Sequence, residues 1–290
     1  MPSFPRLPPC VRWRHSGGGG LPAIDSESGR FQPGRAAAAV GVSADGAVKQ
    51  VLWWICLLVA PAVLVAVELF HPAGFTAHPG MYEFLSHPHH HEPQFWALAY
   101  FGPHWWLALH MVQTPMVGLV AVGLWLMVDG VGTEGGGAAV VTCAWLARAA
   151  IFVFLIYFTV LDAIGGIGLG RTILIVQGLV ADGKLNPQQF DGIVLLLNAL
   201  WTDPLIGGVG SFVSETGSWA AFAAAVFIAA ALLLSGRAGW ASMVPLVGFG
   251  WELQTSHASP HGPIAFALLI VASGWMWWIR RRRGRVAKII

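Results

Sequence analysis

The stretch VLWWICLLVAPAVLVAVELF, residues 51–70, decides the fold. Its one charge, Glu68, sits near the end, and its length matches the roughly 20 helical residues that cross about 30 Å of hydrocarbon. Pro61 is a kink point within it. The rest of the chain has the same character: 56% of its 290 residues are hydrophobic, only 10% are charged, and Trp occurs 15 times. A soluble domain carries about a quarter charged residues, so this chain cannot cover itself with polar groups. The reading is an all-α, polytopic transmembrane bundle whose principal partner is the lipid bilayer. A formal charge of +2 gives no reason to expect nucleic acid.

Working outward, the expected boundaries are as follows. Residues 1–47, rich in Pro, Gly, Ser and Arg, read as a disordered cytoplasmic tail. Residues 48–280 read as the membrane domain, with about six spans near 51–70, 100–128, 138–164, 216–235, 239–253 and 264–279. Residues 71–95 form a Pro/His-rich outer loop, and 281–290 a basic tail. Between spans three and four, the apolar runs 172–180 and 191–201 are each too short to cross a bilayer. They read as short interfacial or re-entrant helices within 172–202. The alternative is a hairpin that crosses twice and raises the count to eight. Asn186-Pro187 is a helix start, an N-cap side chain followed by a residue whose missing N–H is not needed there. Asp203-Pro204 repeats that logic ahead of span four. GGIGLG, residues 165–170, follows no strand and reads as small-residue helix packing rather than a nucleotide loop.

Lys and Arg set the orientation. Arg6, Arg12, Arg14, Arg30, Arg35 and Lys49 precede span one, Arg148 and Arg237 mark two turns, and Arg280–Arg283, Arg285 and Lys288 close the chain. The opposite side has Arg171 and Lys184. The positive-inside rule then places both termini in the cytoplasm of a multi-pass inner-membrane protein.

The same topology sends ten of the eleven histidines to the outer side, all but His15. Glu68, Asp162 and Glu252 join them from the ends of spans one, three and five. Ionisable groups at membrane depth are costly and face the bundle interior or a cavity, so their convergence on one face is the main functional signal. Imidazole suits Zn, Cu and Fe. The candidate metal ligands are His87, His89, His90 and His91 in the loop run HPHHHE, His104 and His110 on span two, and His257 and His261 in QTSHASPHGP. Glu68, Asp162, Glu252 and Gln113 form the accompanying polar cluster. His104 and His110 are six residues apart, about 120° around a helix, so one ion does not take both easily. His257 and His261 have i,i+4 spacing, but Pro260 and Pro263 oppose a regular helix there.

Other chemistry is poorly matched. HPHHHE is not a membrane-desaturase histidine box. Two haems stacked across the bilayer would need inner-leaflet histidines, which the topology lacks. No HExxH, GxSxG or Walker signature occurs. Cys10, Cys56 and Cys143 form no close pair and read as small apolar residues. The cofactor expected is a transition metal (Cu, Zn or Fe) or a single haem. The alternatives are a transporter or channel, with 165–201 as a broken-helix site, and a non-catalytic subunit meeting a membrane-protein partner or a second copy of itself.

Overall fold

The computed structural model describes residues 44–73, 80–90, 97–132, 137–208 and 210–286. The disordered tail expected over 1–47 falls almost wholly outside these residues, as do His78, His91 and Glu92 of the outer loop. The described chain is an all-α helix bundle. Its first traverse is α1 (Ala44–Trp54), a π-helical turn π1 (Ile55–Val59) and α2 (Ala60–Glu68). A corner carries the short helix α3 (Met81–Ser86) and a two-residue antiparallel ladder, β1 (His89–His90) with β2 (Ala99–Tyr100). Helix α4 (Pro103–Met127) returns across the bundle. Next come α5 (Ala138–Leu161), a second π segment π2 (Asp162–Gly168), α6 (Leu169–Ala181), α7 (Pro187–Trp201), α8 (Phe212–Leu234), α9 (Trp240–Thr255) and α10 (His261–Val286).

Five helical stretches are long and apolar enough to cross a membrane: Gly46–Glu68, Pro103–Met127, Ala138–Ala181, Phe212–Leu234 and His261–Arg282. Helix α9 has the same apolar character but only 16 residues. The chain is therefore of multi-pass membrane type. Its outward side chains agree: Trp145, Phe152 and Val244 are 64%, 61% and 68% exposed, a distribution water would penalise and lipid accepts.

Close packing relies on small residues, as expected where lipid removes the hydrophobic drive between helices. The most extensive helix pair is α5 with α8. Helix α8 lines that seam and its contact with α9 with Ala220, Ala221, Ala224, Ala225, Ala229 and Ala231. A side chain on Gly217 would press on the α5 backbone at Phe158, 3.3 Å away, and one on Gly250 would meet Ala225 and Phe222 at 2.8 and 2.9 Å. Arg148 donates to the Val128 carbonyl at 2.8 Å, satisfying a free C=O at the end of α4, and lies over the Trp125 and Trp145 rings.

A second, smaller apolar cluster sits at the histidine-bearing end. Met81, Tyr82, Phe84 and Leu85 of α3 pack with Tyr100, Trp106, Leu169, Ile173, Val176 and Leu197. This cap exists because helix three does not stop near residue 164. It continues through π2 into α6, 44 residues in all and about 66 Å at about 1.5 Å per residue, so roughly half of it projects past the hydrocarbon. The glycines of GGIGLG permit this by letting α4 approach: a side chain on Gly170 would meet Trp106 at 2.9 Å. Helix α7 begins at Pro187 as read, and Asn186 and Gln189 complete a reciprocal capping box at 2.9 and 3.0 Å. Asp203 differs from the expectation. Its Oδ1 accepts from the N–H groups of Leu205 and Ile206, but Gly207 and Gly208 then fold tightly against Trp201. The helix starts only at Phe212, capped by Ser211.

Candidate functional site

Four chain segments meet beneath the cap. The end of α2 and the corner after it supply Glu68 and His71, α4 supplies His110, Gln113 and Thr114, π2 supplies Asp162, and the α9–α10 connection supplies His257. Backbone hydrogen bonds pin the corner: Leu98 N–H donates to the Leu69 carbonyl at 3.0 Å and Ser259 N–H to that of His71 at 3.4 Å. The Trp105 indole N–H donates to Phe70 at 3.2 Å.

Three imidazoles are adjacent. The ring centre of His71 is 5.4 Å from that of His110 and 5.0 Å from that of His257. Trp106 packs at a tilt, 4.4 Å from His110 and 5.2 Å from His71, and Phe158 meets His257 edge-on at 5.5 Å. Backbone carbonyls fix two of the tautomers. His110 Nδ1 is 2.8 Å from the Trp106 carbonyl and His71 Nδ1 is 2.9 Å from that of Pro72. A carbonyl only accepts, so in the neutral ring the proton sits on Nδ1 and the lone pair on Nε2. That is how metal-ligating histidines are oriented elsewhere.

The carboxyl groups are unusually bare. Glu68 is completely buried, and neither of its oxygens has a hydrogen-bond partner. Asp162 is 1% exposed; its Oδ2 accepts from Thr114 Oγ1 at 3.1 Å, while Oδ1 has no partner. The two carboxyls are near enough to interact electrostatically. Gln113 is fully buried with both amide atoms unpaired. Buried polar groups nearly always find partners, so so many bare atoms in one place marks a site rather than a packing core. The π segment contributes directly. Such bulges free backbone groups and cluster at functional positions, and here the Trp106 indole N–H donates to the Gly165 carbonyl at 3.1 Å. His71, Trp106, His110, Asp162, Gly166 and His257 surround a cavity of about 10 Å³, about one water molecule in size.

The other sequence candidates lie elsewhere. His104 and His87 are exposed. His89 packs on Phe84 and Tyr100, with ring centres 5.0 and 4.9 Å away, and pairs with Tyr100 in the ladder. His90 pairs with Ala99 there, and His91 is outside the described residues. Glu252 and His261 form a separate pair, Nδ1 to Oε2 at 2.7 Å. Of the proposed set, the fold thus brings His110, His257 and Asp162 together around one cavity, with Glu68 and Gln113 buried at the same level. It adds His71, which sequence reasoning counted among the outer histidines but did not select. Among the described residues, no group of three or more His, Cys, Asp or Glu side chains has metal-holding geometry as placed. Comparison with protein-family models, with curated proteins and with solved structures finds no match for this chain.

Burial holds the His71 imidazole well below the ordinary histidine range, and the neighbouring His257 and His110 push the same way. Burial takes His257 down to about 4. In the unfolded chain both titrate near 6.5. Their contribution to stability is therefore complete above about pH 6.5 and is lost as pH falls toward 4, by about 1.4 kcal/mol per pH unit for each proton taken up on unfolding. Thermal melts in detergent are expected to show this acid limb. In His71→Phe, which keeps a flat ring, the limb becomes shallower. An unchanged limb in the variant means His71 is not one of the groups responsible.

Proposed function

We propose that this protein is an integral membrane metalloprotein. In this reading it binds one transition-metal ion, Cu, Zn or Fe, between His71, His110 and His257, with Glu68 and Asp162 offsetting the ion's charge. Its termini lie on the cytoplasmic side of the inner membrane and its site in the outer leaflet. The observation that carries the reading is the pair of buried carboxyls with three bare oxygens beside three imidazoles, His71 adjoining both His110 and His257. Buried carboxylates need a counter-charge or a proton, and a divalent ion supplies the first. Ring spacing supports it. Two imidazoles sharing a tetrahedral ion at about 2.1 Å have ring centres about 5 Å apart, and those of His71 are 5.0 and 5.4 Å from its two neighbours. Ligation then needs rotation of the rings rather than movement of the helices. A cavity of about 10 Å³ suits an ion better than a porphyrin, and the ion is the ligand proposed.

The test is elemental analysis of detergent-purified protein, as isolated and after reloading. About one Cu, Zn or Fe per chain is expected. His110→Ala is expected to lose it, and His89→Ala, in the ladder outside the cluster, to keep it. Absence of stoichiometric metal after reloading ends the proposal.

One observation favours transport instead: Asp162 sits on the non-α turn of a long helix, as coupling groups do in carriers with broken helices. Against that, among the described residues the core from Val117 to Met127 of α4 and along α5 and α8 is apolar, which offers a transported ion no polar lining on those helices. Proton- or ion-driven uptake into vesicles by protein that binds no metal would reverse the order of the two readings.

A further inference from the structure

The opposite, basic end of the bundle holds the larger cavity. It is about 770 Å³ in volume and is walled by Lys49, Trp53, Arg237, Trp277, Arg280 and Arg281, with Leu126 and Met127 among its apolar surfaces. Its lining has four cations and one carboxylate, Asp129. Two of the cations are held against aromatic rings. The Arg280 guanidinium lies 5.0 Å over Trp53 and that of Arg281 lies 4.6 Å over Trp277. Stacking fixes the plane of a guanidinium and leaves its edge N–H groups for an oxyanion. Arg237 ties the loop by donating to the carbonyls of Asp129 at 3.2 Å and Gly130 at 2.7 Å. Lys49 meets the Asp129 carboxylate at 3.2 Å. Arg237 and Arg280 are close enough to repel each other. Arg280 and Arg281 thus place two guanidiniums in the wall of a hollow large enough to admit an anion.

We propose that this cavity binds the phosphate-bearing headgroup of an anionic membrane phospholipid, with a doubly charged lipid, whose two phosphodiesters are joined by a glycerol, the better fit. Its location argues for a lipid over a free phosphate. The pocket opens where the ends of three spanning segments meet, its walls carry the Trp residues that favour the bilayer boundary, and exposed apolar side chains, Leu52 and Ile55, begin within a turn of its rim. The stacked Arg280 and Arg281 offer one guanidinium to each of two phosphodiesters, which favours the lipid with two phosphates. Basic pockets between spanning helices bind such headgroups.

Native mass spectrometry of the delipidated full chain in detergent tests this. The probes are diphosphatidylglycerol, phosphatidylglycerol and phosphatidylcholine, with inorganic phosphate and glycerol 3-phosphate as soluble arms. We expect at least tenfold more binding of diphosphatidylglycerol than of phosphatidylcholine, with phosphatidylglycerol between them and little binding of the soluble anions. Arg280→Gln/Arg281→Gln is expected to remove most of this preference, while Arg282→Gln, on the same helix end over Trp278 but outside the cavity, keeps it. Equal losses from Arg282→Gln and the double variant would show general attraction to a basic helix end and overturn the pocket. Soluble phosphate binding as tightly as the lipid overturns the lipid assignment, and equal binding of phosphatidylcholine overturns both. A melting temperature within a degree or so of the parent confirms that the double variant is folded when it is scored.

Discussion

Gly166→Ala is expected to destabilise the protein by about 2–3 kcal/mol, a large effect for one methyl group, and to disorder the histidine cluster. A Cβ at residue 166 would overlap the root of the His110 ring, its Cβ, Cγ and Cδ2 atoms, and these are not the free end of a flexible chain. His110 cannot retreat, because its Nδ1 is bonded to the Trp106 carbonyl and Trp106 is bonded across to Gly165. Relief requires α4 and the π2 segment to separate, which breaks that bond and opens the cavity. Gly178→Ala in the same long helix is the matched control, since a side chain there meets nothing within 4 Å. Its expected effect is neutral to stabilising, by up to about 1 kcal/mol, from helix propensity alone. Paired thermal melts of the two variants measure the difference. If Gly166→Ala melts with the parent, the close approach of π2 to α4 is not what holds the site.

That approach also explains what could be read ahead of the structure. Runs such as 51–70 identify themselves, because some twenty apolar residues have few alternatives to a helix in lipid. The clustering of acids and histidines at one end followed from counting traverses, and so did the choice of His110 and Asp162, while Gln113 came from its i+3 spacing to His110. His71 was missed because it lies one turn past the span, in a Pro/His-rich loop where six histidines look alike; only the corner formed by Leu98 and Ser259 bonding back to Leu69 and His71 singles it out. His261 and Glu252 were legible as polar but not as partners of each other. The continuation of helix three through Gly165–Gly170 was hidden for a related reason. Glycine signals a break locally, and what keeps the helix going is Trp106 and His110 filling the space those glycines leave, residues some sixty positions away in sequence. The helix start at Asn186, by contrast, is local and was read from two residues, although its capping box with Gln189 was not.

Glu68→Met gives the second large effect, and its two parts move in opposite directions. The carboxyl is wholly buried, neither oxygen has a partner, and the Asp162 carboxyl is close enough to repel it. Methionine has similar length and no polar atom that needs satisfying. Replacing an uncompensated buried ionisable group with a well-packed apolar one is commonly neutral or stabilising by about 1–4 kcal/mol, so the metal-free variant is expected to melt higher than the metal-free parent. If Glu68 balances the charge of a bound ion, the same change lowers ion affinity by about 10–100-fold, as losses of supporting groups around metal ligands do. Glu68→Gln separates the contributions: it removes the charge but leaves an amide with no partner, so affinity falls without the gain in stability. Metal titration and thermal melts on the three proteins, each with and without ion, give the answer. A group kept for folding would behave in the reverse way, with Glu68→Met melting lower and its ion content unchanged, and that outcome would remove Glu68 from the site. Stability surrendered at a buried carboxyl and recovered on ion binding is what a functional position predicts, and no packing role for Glu68 produces the same pair of shifts.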